Sequence, residues 1–122
     1  MFDVGSDGVA AICCLCFIVA DYASGVAKAV HAKELDSSKM REGLWHKAGF
    51  IGAMVLGYGC QILVNFELLP SSFSAIFAGV CVYVIITEAI SIFENLCELS
   101  PELAESPLAA LLKLKEENQN DD

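Results

Sequence analysis

The chain has 122 residues and is 56% hydrophobic, with a mean hydropathy of +0.57, yet its formal net charge is -9. These values are typical of an integral membrane protein that carries a solvated acidic segment, and the acidic residues do crowd the end of the chain, in "KEENQNDD". They argue against nucleic acid as a partner, because no basic patch with interleaved aromatic residues is present to bind phosphates.

The first apolar stretch, Val9 to Ala20, is too short to cross a bilayer by itself. It spans only if the helix continues through Asp21 to Lys28 or beyond, so we predict a helix over about residues 9–30 behind a short periplasmic leader, residues 1–8. A cleaved signal peptide is a rival interpretation, but the leader has no Lys or Arg. An interfacial first helix beside two transmembrane helices is the main alternative.

Two further apolar stretches follow. No charged residue occurs from Ala48 to Phe66 or from Leu68 to Thr87, and each stretch spans roughly 30 Å as a helix. We predict helices over about residues 46–66 and 69–98. The fold class is therefore an all-α integral membrane protein with three transmembrane helices in residues 9–98.

The basic residues predict the orientation. Five of the seven lie between the first and second transmembrane helices, and the other two follow the third helix. By the positive-inside rule both segments are cytoplasmic, which places the N-terminus outside and the C-terminus inside. Residues 99–122 then form an acidic cytoplasmic tail with a short amphipathic helix. The basic residues are Lys28, Lys33, Lys39, Arg41 and Lys47, and then Lys113 and Lys115.

Polar residues collect on one face of the first and third helices, which predicts an amphipathic cytoplasmic extension on each. These faces hold Asp21, Ser24, Gly25 and Lys28 on the first helix and Thr87, Glu88, Ser91, Glu94, Asn95 and Glu98 on the third. Asp21 and Glu88 lie within or at the edge of the hydrocarbon, where an unpaired carboxylate is expensive, so we expect Lys28 or Lys47 to be the partner of each. For Lys28, Glu94 and Glu98, ordinary helix ends with snorkelling charges are the alternative.

Small residues recur along the second helix. Gly49, Ala53 and Gly57 are spaced four apart, and Gly52 lies nearby. Such spacing lets helix backbones approach closely in lipid. It predicts helix packing, either within the chain or between copies of it.

The six cysteines lie in apolar segments and are most simply small buried hydrophobic residues. Cys13 and Cys16 have the spacing of a redox or zinc motif, but no second ligand pair accompanies them. We therefore predict no metal and no cofactor. No catalytic constellation appears either, so the chain is not expected to be an enzyme.

Three stretches resemble the phage lysis and toxin-secretion holin family: "DYASG" (Asp21–Gly25), "LDSSKMREGLWHKAG" (Leu35–Gly49) and "EAISIFENL" (Glu88–Leu96). In order and spacing they look like that family's motifs, and the likeness covers roughly residues 21–114. The tail departs from the pattern, because "LSPELAESP" stands where these holins usually have a Gly-Val-Pro-Ile-Pro-like link.

The resemblance implies a phage-encoded protein of the bacterial host inner membrane. Such a protein forms homo-oligomers in the lipid bilayer and opens lesions or pores that release an endolysin, or in some relatives a toxin. The candidates for ion pairs or pore-lining positions are Asp21, Ser24, Lys28, Lys47, Glu88, Ser91, Glu94 and Asn95. A small accessory subunit of a larger membrane complex, with no pore activity of its own, is the alternative function.

Overall fold

The computed structural model describes residues 4–111, and no strand occurs within them. Lys113, Lys115 and the end of the acidic tail lie outside the described residues, so the predictions for them stay untested. The helices are α1 (Val4–Ala32), α2 (Ser37–Asn65), α3 (Ala75–Leu99) and the short α4 (Pro101–Ala104). A 3-10 turn, Ser71–Ser74, precedes α3, and residues 107–111 are also helical.

Three helical segments are long and apolar enough to cross a membrane, namely Gly5–Ala32, Ser37–Asn65 and Ser71–Leu99. At about 1.5 Å per residue each is longer than the ~30 Å hydrocarbon core. Most of their large apolar side chains are exposed, as at Leu56 and Val82. Such side chains would face lipid in a bilayer. The predicted all-helical fold with three membrane-spanning helices is therefore confirmed at this level.

Helix α2 begins at Ser37, well before the predicted start near residue 46. The cap is Asp36, whose Oδ1 accepts a hydrogen bond from the Ser38 backbone N–H at 2.9 Å and so satisfies an open donor of the first turn. Gly43 lies inside α2 without interrupting it. Good helix formers on both sides of this glycine outweigh its low helix propensity.

The connection between α1 and α2 is short. Lys33 has a φ of 58°, in the left-handed region, and the Glu34 backbone N–H donates to the Ala29 carbonyl at 2.9 Å. This pattern ends α1 as a glycine often does, although the residue is a lysine. We refer to the end of the bundle that carries this connection as the α1–α2 end, and to the opposite end as the α2–α3 end.

The interface between α1 and α3 is the most extensive in the bundle, whereas α2 packs mainly on α3 and contacts α1 sparingly. Because three membrane-crossing helices with short connections alternate in direction, α1 and α3 run parallel and α2 runs against both. The buried apolar residues of the three membrane-spanning helices lie towards the α2–α3 end. We call them the apolar cluster; its members are Cys14, Ile18, Met54, Phe77, Cys81 and Val84.

Gly57 of α2 lies close to the backbone of α3. A Cβ atom added to it would lie 3.0 Å from Phe77 Cα and 3.3 Å from Phe77 N. The neighbouring ring of Tyr58 packs edge-on against Phe77, with centroids 5.6 Å apart. Gly49 and Gly52, in contrast, have nothing within 4 Å of an added Cβ. Their predicted part in packing can therefore concern only contacts between chains, which stays a prediction.

We expect Gly57→Leu to destabilise the bundle by roughly 1–3 kcal/mol, because the backbone of Phe77 cannot yield as a flexible side chain would. Gly52→Leu is the matched control and should unfold like the unmodified chain. Thermal unfolding of the purified protein in detergent, followed by circular dichroism, measures both. Equal stability of the two variants would contradict this packing.

Candidate functional site

One charged residue from each membrane-spanning helix meets in the interior of the bundle. Lys47 of α2 donates from Nζ to Asp21 Oδ2 of α1 at 2.6 Å and to Glu88 Oε2 of α3 at 2.8 Å. We call these three residues the charge cluster. Because one ammonium group joins two carboxylates, it ties all three helices together at a single level.

The charge cluster is shielded from the surroundings. The side chain of Glu88 is 2% exposed, that of Lys47 is 12% exposed and that of Asp21 is 14% exposed. Charges removed from water are strongly destabilising unless they are paired and hydrogen-bonded. Two carboxylates and one ammonium leave the cluster with a formal charge of -1. Lys47 is thus a shared partner, and loss of its ammonium would leave both acids unpaired.

Asn95 and Ser24 form hydrogen bonds with Asp21 on the side of the cluster that faces the α1–α2 end. Asn95, which is 6% exposed, donates from Nδ2 to Ser24 Oγ at 2.9 Å and to Asp21 Oδ1 at 3.2 Å. Ser24 Oγ in turn donates to the Asp21 carbonyl at 3.0 Å. A Cβ added at Gly25 would lie 3.7 Å from Asn95 Nδ2, which is an ordinary van der Waals distance, so the network does not require a glycine there. The network fixes the orientation of the Asp21 carboxylate.

Lys28 is not the residue that joins the two buried carboxylates. Its Nζ lies 3.9 Å from Glu98 Oε2, and the two side chains are 37% and 63% exposed. Ion pairs of this kind contribute little, about 0–1 kcal/mol. Ser91 is partly buried, whereas Glu94 lies on the exposed side of α3. The structure therefore brings together five of the eight polar candidates, Asp21, Ser24, Lys47, Glu88 and Asn95.

A cavity of about 460 Å³ lies between the three helices, and we call it the vestibule. It runs from the α1–α2 connection, where Glu34 and Lys39 line it, inward to the charge cluster; Ser91 lines its wall. The sequence left Lys28 and Lys47 as alternative partners of each acid, and it gave no sign of the vestibule. Lys47 directly precedes an uncharged stretch, and this position indicates that it needs a buried partner. Only the packing of α2 shows that it reaches two acids.

The cysteines form no site in the structure. All six are free, and Cys14 Sγ donates a weak hydrogen bond to the Cys81 carbonyl at 3.6 Å. Across residues 4–111, no group of three or more His, Cys, Asp or Glu side chains is arranged to bind a metal ion.

The three long apolar helices define the class: a multi-pass α-helical membrane protein. The family model described as the bacteriophage holin family matches residues 1–116, and the chain therefore belongs to the bacteriophage holin family. This is a family of membrane pore-forming proteins, and the resemblance found in the sequence is confirmed. No curated protein and no solved structure matches the chain.

Replacing Lys47 by Met should lower the free energy of unfolding by about 3–5 kcal/mol, since it leaves two buried carboxylates without a cation. Lys28→Met, the matched control, should change it by less than about 1 kcal/mol because its pair is exposed. Adding Asp21→Asn and Glu88→Gln to Lys47→Met should restore much of the loss. Thermal unfolding in detergent provides the measurement, and similar losses from the two lysine variants would refute the assignment.

Proposed function

We propose that this protein acts as a phage holin that assembles into homo-oligomers in the inner membrane of the bacterial host. The assembly opens lesions through which an endolysin reaches the cell wall, or through which a toxin leaves the cell. The observation that carries this proposal is the match to the bacteriophage holin family over residues 1–116. The three helices long and apolar enough to cross a membrane are consistent with it.

The proposed orientation has the N-terminus outside and the C-terminus in the cytoplasm. Five basic residues lie between Lys28 and Lys47, around the α1–α2 connection, and positive charge favours the cytoplasmic side. The end of α3 lies at the same end of the bundle, because α1 and α3 run parallel. A reporter fused to the C-terminus and active only in the cytoplasm would verify the orientation.

The charge cluster is the proposed switch between a closed subunit and an open assembly. Within one chain, Lys47 pairs with both carboxylates, and Asp21 and Glu88 turn inward from the polar faces of α1 and α3. A lesion needs polar surface towards water, so those faces must part from α2 during assembly. Release of Lys47 and re-formation of its ion pairs between neighbouring subunits would compensate for part of the charge that is set free.

Expression of the chain alone in a bacterium tests the proposed function. A holin should cause an abrupt loss of membrane potential with no phage partner present, followed by lysis when an endolysin is co-expressed. An unrelated three-helix membrane protein produced at the same level is the control. Harmless accumulation in the membrane would contradict the proposal and favour an accessory subunit of a larger complex.

Exchange of charges tests the switch. Glu88→Lys places two ammonium groups beside one carboxylate and should shift the time of lysis strongly. Adding Lys47→Glu restores the balance of one cation and two anions, so lysis should return part of the way towards its normal time. Adding Lys28→Glu is the matched control and should not restore it, because Lys28 pairs with Glu98 instead.

Lysis times are compared at equal amounts of protein in the membrane. Equal rescue by both second substitutions, or rescue by neither, would rule out the switch at Lys47.

A further inference from the structure

The inward-facing surfaces of the membrane-spanning helices are polar near the α1–α2 end and apolar near the α2–α3 end. On α3 the buried positions pass from Glu88 to Val84, Cys81 and Phe77 in steps of three and four residues, which keeps them on one face. On α1 the same face continues from Asp21 to Ile18 and Cys14. The polar half of the interior therefore adjoins the apolar cluster directly, along one continuous axis.

Water can reach the polar half from one end. The vestibule, of about 460 Å³, extends from the α1–α2 connection to the charge cluster and has room for several water molecules. Charged side chains line it from mouth to base, and such groups recruit water even within a membrane protein. The lining has four acidic and three basic side chains, which favours cations: Asp21, Glu34, Asp36 and Glu88 against Lys28, Lys39 and Lys47.

The apolar cluster closes the other half. Its members are between 0% and 7% exposed, and the Phe77 backbone lies so near Gly57 that an added Cβ would be only 3.0 Å from Phe77 Cα. From Val84 to Phe77 the closed segment extends roughly 10 Å along the helix axis. A dry constriction of this length stops ions because entering it would strip them of water. Substitution by a hydroxyl-bearing side chain would admit water.

We propose that each subunit contains a half-channel for small monovalent cations, with the vestibule as its water-filled entrance and the apolar cluster as its closed gate. This path lies within one chain and differs from the lesion, which needs many chains. The proposal therefore does not depend on the lesion mechanism. Cations enter from the α1–α2 end, gather at the negatively charged cluster and stop at Val84.

The test measures K⁺ efflux from vesicles that also contain a fluorescent dextran. The full-length protein is reconstituted at about one chain per vesicle or fewer, so that assemblies are rare. Val84→Ser should raise K⁺ efflux on the order of tenfold, because it lowers the free-energy barrier that the apolar cluster presents to K⁺. The dextran should stay inside the vesicles. Val82→Ser is the matched control: Val82 is 56% exposed on the same helix, whereas Val84 is 1% exposed.

Two further variants exclude simple misfolding. Val84→Thr keeps the side-chain volume, adds a hydroxyl group and should also raise K⁺ efflux. Gly43→Leu in the Val84→Ser background should reduce the efflux, because Gly43 lines the vestibule and a Cβ there meets nothing within 4 Å. Gly59→Leu in the Val84→Ser background is the control for Gly43→Leu. An added Cβ at Gly59 also meets nothing within 4 Å, but Gly59 is not among the residues that line the vestibule, so the efflux should stay unchanged.

Several results would overturn the half-channel. Efflux at the unmodified level from Val84→Ser or Val84→Thr would do so, as would equal efflux from Val82→Ser. Dextran release together with K⁺ would identify a lesion instead, and Cl⁻ efflux as fast as K⁺ efflux would remove the preference for cations. Lysis by the unmodified chain in cells is read separately, so the half-channel can fail while the proposed holin function stands.

Discussion

The sharing of one ammonium group between two buried carboxylates is the constraint on which the arrangement of the helices depends. Helix α2 has only two buried residues, Met54 and Gly57, and both lie towards the α2–α3 end. Near the α1–α2 end it is joined to α1 and α3 through Lys47. Because the three side chains are largely buried, water screens these ion pairs only weakly and their loss is expensive. The position of α2 is therefore set by electrostatics at one level and by close packing at another.

This division is consistent with the proposed function, in which the protein is stable as one chain and changes its contacts on assembly. Apolar packing between helices gains little in lipid, because the tails are as apolar as the side chains they replace. Polar contacts carry more of the specificity, and in the proposed assembly they would be exchanged between subunits without net loss of pairing. Asn95 adds to this by holding Asp21 in place for its partner, and it lies on the same face of α3 as Glu88 and Ser91.

The sequence was sufficient to predict the three helices and the importance of Asp21 and Glu88, because a carboxylate within an apolar run is conspicuous. It left the choice between Lys28 and Lys47 open, since that depends on how far α2 is shifted along its neighbours. The continuity of α2 from Ser37 could not be predicted, because Gly43 is equally compatible with a break and with a helix. The difference between Gly52 and Gly57 depends on which face of α2 meets α3, and the periodicity of small residues does not contain that information.

The most direct measurement of the central claim is the dipolar coupling between the Lys47 side-chain nitrogen and the carboxyl carbons of Asp21 and Glu88, by solid-state NMR in lipid bilayers. With ¹⁵N in lysine side chains and ¹³C in aspartate and glutamate carboxyl groups, the account predicts strong coupling from one nitrogen to both kinds of carboxyl group. That signal should vanish in Lys47→Met and persist in Lys28→Met. A spectrum in which Lys47→Met removes no coupling would contradict the account.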